Sequence, residues 1–134
     1  MTSILQQAIL IDMEATSTIT RTAIQGIAGD PEALARYFRV LGDPTRLRIV
    51  EALLERERTV SELVELVGAP QSRVSNHLAC LKWCRVAEAD RRGRTVVYRV
   101  LDPRVAGLLG LAADLAAEHC EYLASCRRIG PDWI

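Results

Sequence analysis

A chain of 134 residues with 49% apolar residues, 17 basic and 17 acidic side chains and four cysteines fits one domain of roughly 100–150 residues with its own core. That composition excludes intrinsic disorder, and the longest apolar stretch, Val105 to Ala113, is about half the roughly 20 residues that a membrane span needs. A formal net charge of zero argues, as a bulk figure, against a nucleic-acid binder.

In chain order, residues 1–29 read as an N-terminal extension, helical in part and associated with a dimer. Ile4, Leu5, Ala8 and Ile9 give a weak helical stripe, which the Thr/Ser-rich stretch Thr16 to Thr22 interrupts. Gly29-Asp30-Pro31 then predicts a helix start, with Asp30 as N-cap and Pro31 at the first helical position. Leu34, Phe38 and Leu41 form its apolar stripe. Gly42-Asp43-Pro44 repeats the stop and start, and Leu47, Val50 and Leu54 mark the next helix. Thr59, with Glu62 three residues on, is a capping box for a short third helix bearing Val60, Leu63, Val64 and Val67. Gly68-Ala69-Pro70 breaks the chain. A fourth helix is predicted from about Gln71 to Trp83, with Val74, Leu78 and Leu81 on its inner face. The third and fourth helices, joined by a tight Gly-containing turn, make a helix-turn-helix.

The period then changes. Val96, Tyr98 and Val100 alternate with Thr95, Val97 and Arg99, so Val86–Asp90 and Thr95–Val100 read as a β-hairpin closed by Arg91-Arg92-Gly93-Arg94. Asp102-Pro103 opens a last long helix expected to run from Pro103 to about Cys126. Its first half, Val105 to Leu115, is apolar on most sides, and a partner subunit is the expected cover. The predicted fold is mainly α with a small β-hairpin: a winged helix-turn-helix, homodimeric through the terminal helices. Residues 30–102 form the DNA-binding core, and residues 103–134 the dimerisation helix and tail.

The zero charge conceals an asymmetry. Residues 70–104 hold eight basic and three acidic side chains, net +5, between flanks of net −3 and −2. A compact basic segment of this kind is a footprint of anion binding. The predicted fourth helix places Gln71, Ser72, Arg73, Ser75, Asn76 and His77 in its first two turns, the part of a helix-turn-helix that reaches base edges. Gln and Asn suit adenine, Arg suits guanine, and Ser bonds base edges or phosphate. Arg91, Arg92 and Arg94 around Gly93 suit backbone phosphate or a narrow minor groove. Double-stranded DNA is therefore the expected partner.

The first positive side chain is Arg21, so no basic segment precedes an apolar one as in a secretory signal. The expected location is the cytoplasm, with no membrane partner. In that reducing compartment Cys80, Cys84, Cys120 and Cys126 are metal-binding, reactive or buried rather than disulfide-bonded. Cys80 and Cys84 share a helix face at i, i+4. Their Cβ atoms should lie about 5–6 Å apart, too far for a disulfide at roughly 3.5–4.5 Å. Two thiolates on one metal sit about 3.7 Å apart, which side-chain rotation can reach. A third ligand must come from elsewhere, and Cys120 and Cys126 are the candidates; on one continuous helix they would point about 120° apart.

These residues resemble a known family. Leu41-Gly42-Asp43-Pro44-Thr45-Arg46-Leu47-Arg48-Ile49-Val50 resembles the stretch that opens the second core helix of ArsR/SmtB repressors. Gln71-Ser72-Arg73-Val74-Ser75-Asn76-His77-Leu78 resembles that family's recognition helix, and Arg92-Gly93-Arg94 followed by Val97-Tyr98 its wing. The likeness runs roughly from Ala33 to Leu115. It implies a homodimer that binds an imperfect palindrome and represses transcription until an inducer, often a metal ion, releases it. Cys80-Leu81-Lys82-Trp83-Cys84 resembles the cadmium- and lead-sensing CmtR branch, where two such cysteines and one near the C-terminus form an all-thiolate site. By offset, Cys126 matches the third position best. The second and third core helices contain no cysteine. Arg104 and Leu115 stand where a zinc- and nickel-sensing pattern wants His. Soft ligands favour cadmium, lead or mercury as the inducer.

The expected function is thus a metal-responsive repressor and not an enzyme, since no nucleophile–base pair is evident. Two alternatives share the fold: a repressor that senses oxidants or sulfur species through Cys120 or Cys126, and a winged helix that binds protein rather than DNA.

Overall fold

The computed structural model describes residues 30–126. The expected N-terminal extension at 1–29 and the tail at 127–134 lie outside the described residues. The described elements are α1 (Pro31–Leu41), α2 (Pro44–Glu55), β1 (Arg58–Thr59), α3 (Val60–Val67), α4 (Gln71–Trp83), β2 (Ala87–Arg92), β3 (Thr95–Val100), α5 (Arg104–Glu118) and α6 (Cys120–Ser125).

The chain divides into two compact units, residues 1–38 and 39–134. Of the first unit, the described part is the opening of α1. Asp30 caps it as expected: the Ala33 N–H donates to Asp30 Oδ1 at 3.0 Å. Leu34 and Phe38 are exposed.

In the second unit the Asp-Pro-Thr-Arg stretch splices two helices. The Asp43 carboxylate accepts from the Arg46 N–H at 2.9 Å and so caps α2, with Pro44 in its first turn. The Arg46 side chain turns back toward the end of α1. Its Nε donates to the Val40 carbonyl at 2.5 Å and its Nη2 to the Arg39 carbonyl at 3.2 Å. Both carbonyls belong to the last turn of a helix, where the regular i+4 donors run out; the Arg39 carbonyl also accepts from the Gly42 N–H at 3.2 Å.

The capping box on α3 also forms. Thr59 Oγ1 accepts from the Glu62 N–H at 3.3 Å and donates to Glu62 Oε1 at 3.4 Å. Gly68 ends α3 with φ 67°, and its N–H donates to the Val64 carbonyl at 2.9 Å. The chain then enters α4, so α3 and α4 form the predicted helix-turn-helix, both packed on α2. The core lies where the three meet. Ile49 and Val50 of α2, Leu63 of α3, and Val74, Leu78 and Leu81 of α4 are fully buried, and Val86 closes the end nearest the sheet.

The sheet is antiparallel with strand order β1-β3-β2. Two details differ from the sequence reading. Arg91 and Arg92 belong to β2, not to the turn, and pair with Val96 and Thr95. Only Gly93 and Arg94 form the turn, with Gly93 at φ 65°. A two-residue turn with positive φ matches the strand twist, so the ladder extends to the tip. The other difference is β1, two residues long, pairing Arg58 with Tyr98 and Thr59 with Val97. A segment that short carries no readable period.

The last helix is not continuous from Pro103 to Cys126. It breaks at His119 (φ −118°, ψ 17°), which ends α5 and precedes α6. No Gly or Pro marks this break. Residues 110–125 are exposed, so among the described residues no packing holds one straight helix there. Of α5 only Val105 is buried; Leu111 and Leu115 are exposed. The architecture is mostly helical with a small sheet, a winged helix-turn-helix. Among the described residues no helix is long and apolar enough to cross a membrane.

Candidate nucleic-acid interface and thiol pair

Helix α4 sorts its side chains by face. Val74, Leu78 and Leu81 point into the core, which leaves Gln71, Ser72, Arg73, Ser75 and Asn76 exposed over the first two turns. His77 is placed differently. It is largely covered, with Nε2 3.9 Å from Asp43 Oδ1 at the start of α2. Five of the six residues expected to reach DNA therefore share the open face, and the sixth faces the carboxylate that caps α2.

The basic segment also resolves into two classes. Its three acidic residues are all ion-paired. Glu88 pairs with Arg99 opposite it on β3, Asp90 with Arg92 at 3.2 Å, and Asp102 with Arg104 at 2.6 Å. Arg73, Lys82, Arg85, Arg91 and Arg94 have no ion pair among the described residues. These five cations account for the segment's excess charge, and three of them lie on the front of α4 or at the wing tip.

Arg92 is further engaged by Glu57, from outside the basic segment. Nη1 donates to Oε1 at 2.6 Å and Nη2 to Oε2 at 3.0 Å. The Arg92 hydrogen bonds hold the Glu57 carboxyl below its usual range, against a small opposing effect of burial. Glu57 was not among the residues expected from sequence. Only the β1–β3 pairing brings it beside the wing.

Cys80 and Cys84 occupy the end of α4, both half-buried. The Cys84 N–H donates to the Cys80 carbonyl at 3.0 Å, and their thiols are close enough to hydrogen-bond. Burial pushes the Cys84 thiol up, the neighbouring Cys80 adds to that, and the Arg46 guanidinium opposes it. Cys120 is exposed at the start of α6, and Cys126 is half-buried just after it. Among the described residues no three His, Cys, Asp or Glu side chains gather as a metal site. Within one chain, then, Cys80 and Cys84 meet, and neither Cys120 nor Cys126 joins them. Two adjacent thiols suit a soft ion, which takes thiolate ligands in exchange for protons.

An apolar groove of about 500 Å³ runs between α2 and α5, lined by Leu47, Leu54, Ala106, Leu109, Gly110 and Ala113.

Comparison with known proteins agrees with this layout. A family model described as bacterial regulatory protein, arsR family, matches residues 43–89, from the cap of α2 into β2. The "probable mercury resistance operon repressor" of Streptomyces lividans is 48% identical over 99 residues, covering 74% of this chain and 79% of that protein. A homodimeric winged helix-turn-helix DNA-binding domain from Mycobacterium bovis superposes with a TM-score of 0.62 at 32% identity, over 71% of this chain and 88% of that one. The cadmium metal-sensor CmtR of Mycobacterium tuberculosis gives a TM-score of 0.50 at 43% identity, over 57% of this chain and 79% of that one.

Proposed function

The chain belongs to the arsR family of bacterial regulatory proteins and is a transcriptional repressor rather than an enzyme; from that premise we propose that it binds operator DNA as a metal-free homodimer and is released by a soft divalent ion, cadmium, lead or mercury. The Cys80–Cys84 pair inside the reading helix carries this proposal. A mercury repressor and a cadmium sensor among its relatives support the choice of inducer.

In this reading Gln71, Ser72, Arg73, Ser75 and Asn76 enter the major groove. His77, beside Asp43, borders that surface, and Arg91 and Arg94 meet backbone phosphate. The second subunit covers the groove between α2 and α5 and the exposed Leu111 and Leu115. Cys80 and Cys84 hold the ion with a third thiolate from Cys126 or Cys120, which would supply a three-sulfur site for a soft metal. A shared ligand of this kind ties the end of α4 to the terminal helices and so couples ion binding to the spacing of the two reading helices. Linkage makes the effect mutual: DNA and ion weaken each other equally, typically by about 1–3 kcal/mol.

The test is a titration of the reduced apo protein on DNA with cadmium, lead and mercury salts, following ultraviolet thiolate–metal charge transfer and DNA release together. Cys80→Ser and Cys84→Ser should keep DNA binding and lose release, and Cys126→Ser compared with Cys120→Ser identifies the third ligand. Release by all three metals undiminished in both Cys80→Ser and Cys84→Ser would sink the reading. The exposure of Cys120 favours one second reading, a thiol sensor of the same fold. Peroxide-driven release that survives Cys80→Ser and is lost in Cys120→Ser would select it.

A further inference from the structure

Arg92 ends β2, and Glu57 immediately precedes β1, 35 residues away in the chain. The guanidinium meets the Glu57 carboxylate fork to fork at 2.6 and 3.0 Å, and its Nε donates to Asp90 Oδ2 at 3.2 Å. Carboxylates thus occupy both edges with which the guanidinium would grip a phosphate, in the bidentate geometry that phosphate itself would use. Its neighbours Arg91 and Arg94 have no ion pair among the described residues. Two residues after Glu57, Thr59 pairs with β3 and caps α3, the first helix of the helix-turn-helix. The ion pair therefore bridges the wing tip and the entry to the reading head.

We propose that Arg92 is a positioning residue and not a phosphate ligand: with Glu57 and Asp90 it clamps the wing to the segment that leads into α3, and so holds Arg91 and Arg94 at the DNA backbone while α4 lies in the groove. This assignment rests on the DNA-binding reading. It separates three arginines that look alike in sequence. Arg91 and Arg94 supply charge to the backbone, whereas the charge of Arg92 is spent within the protein.

The experiment measures dissociation constants against salt concentration by fluorescence anisotropy. It uses the full chain and a duplex selected from a random-sequence pool by the wild-type protein. Arg92→Lys and Glu57→Gln each keep the size of the side chain while breaking the fork. Each should weaken binding by about two- to fivefold, with the slope of log affinity against log salt unchanged. The double variant should bind no worse than either single one, because all three lose the same pair. Arg91→Ala and Arg94→Ala should instead lower the slope by about one per protomer. Tighter binding by Glu57→Gln, a slope lowered by about one per protomer in Arg92→Ala, or unchanged affinity in both Arg92→Lys and Glu57→Gln overturns the clamp and leaves the DNA-binding reading standing. A wild-type protein that binds no duplex overturns both.

Discussion

The Cys84 backbone N–H donates to the Cys80 carbonyl at 3.0 Å, which closes the last turn of α4 and sets both thiols on one face. Burial, and next the Cys80 thiol, push the Cys84 thiol above its ordinary value near 9.0. At neutral pH the Cys84 thiol is therefore protonated, and taking up a soft ion should release its proton. Metal affinity should rise with pH up to the raised Cys84 value, as competition titrations at several pH values would show. Cys80→Ser removes the neighbouring thiol and should bring Cys84 part of the way back down, read by ultraviolet thiolate absorbance. An unmoved titration would mean that burial alone sets it.

Arg46 braces the junction of two helices through the Val40 and Arg39 carbonyls. Arg46→Ala removes the side-chain donor from both, leaving the Arg39 carbonyl only its bond from the Gly42 N–H, and should cost roughly 1–3 kcal/mol in urea unfolding. Arg46→Lys cannot span both acceptors with one ammonium and should recover only part of that loss.

Gly68 ends α3 at φ 67°, with open space where a Cβ would stand. Gly68→Ala should therefore destabilise through the backbone alone, by about 1–2 kcal/mol in thermal or urea unfolding. Gly68→Asn should cost less, since Asn tolerates the left-handed region. A cost in Gly68→Ala matching a core truncation would point to a packing clash instead.

Glu57 and Glu62 are both held below the ordinary carboxylate value near 4.5, first by hydrogen bonds from Arg92 and Arg56 respectively. A carboxyl whose folded value is depressed contributes stability above its unfolded value and loses it as pH falls through the folded one. The two pairs should therefore be intact at pH 5 and above, and stability should decline only below about 4.5. Because both carboxylates are exposed, the effect is small and screened by salt. In Glu57→Gln the acid limb of the unfolding profile should be shallower than in the wild type. An identical limb would show that the pair survives equally in the unfolded chain.

The helices and the exposed polar face of α4 were legible because their signals are local. Asp30, Asp43 and Thr59 each cap the helix that follows through a side chain within three residues. Val74, Leu78 and Leu81 mark the inner face of α4 by spacing alone, which leaves Gln71, Ser72, Arg73, Ser75 and Asn76 outside. The i, i+4 spacing of Cys80 and Cys84 placed their thiols together for the same reason. The break at His119 was not legible, since no residue there forbids a helix.

The sequence by itself determined what neighbours within a few residues can decide: where helices begin, which side of α4 meets the core, and that two thiols share its end. Only the tertiary structure decided which arginines remain without a carboxylate. β1 is two residues long and exists because it pairs with β3. That pairing carries Glu57, from the acidic flank, across to Arg92. Charge counts along a chain say how many ions a segment holds. Which of them are neutralised depends on distances between residues far apart in sequence, and those are set by folding.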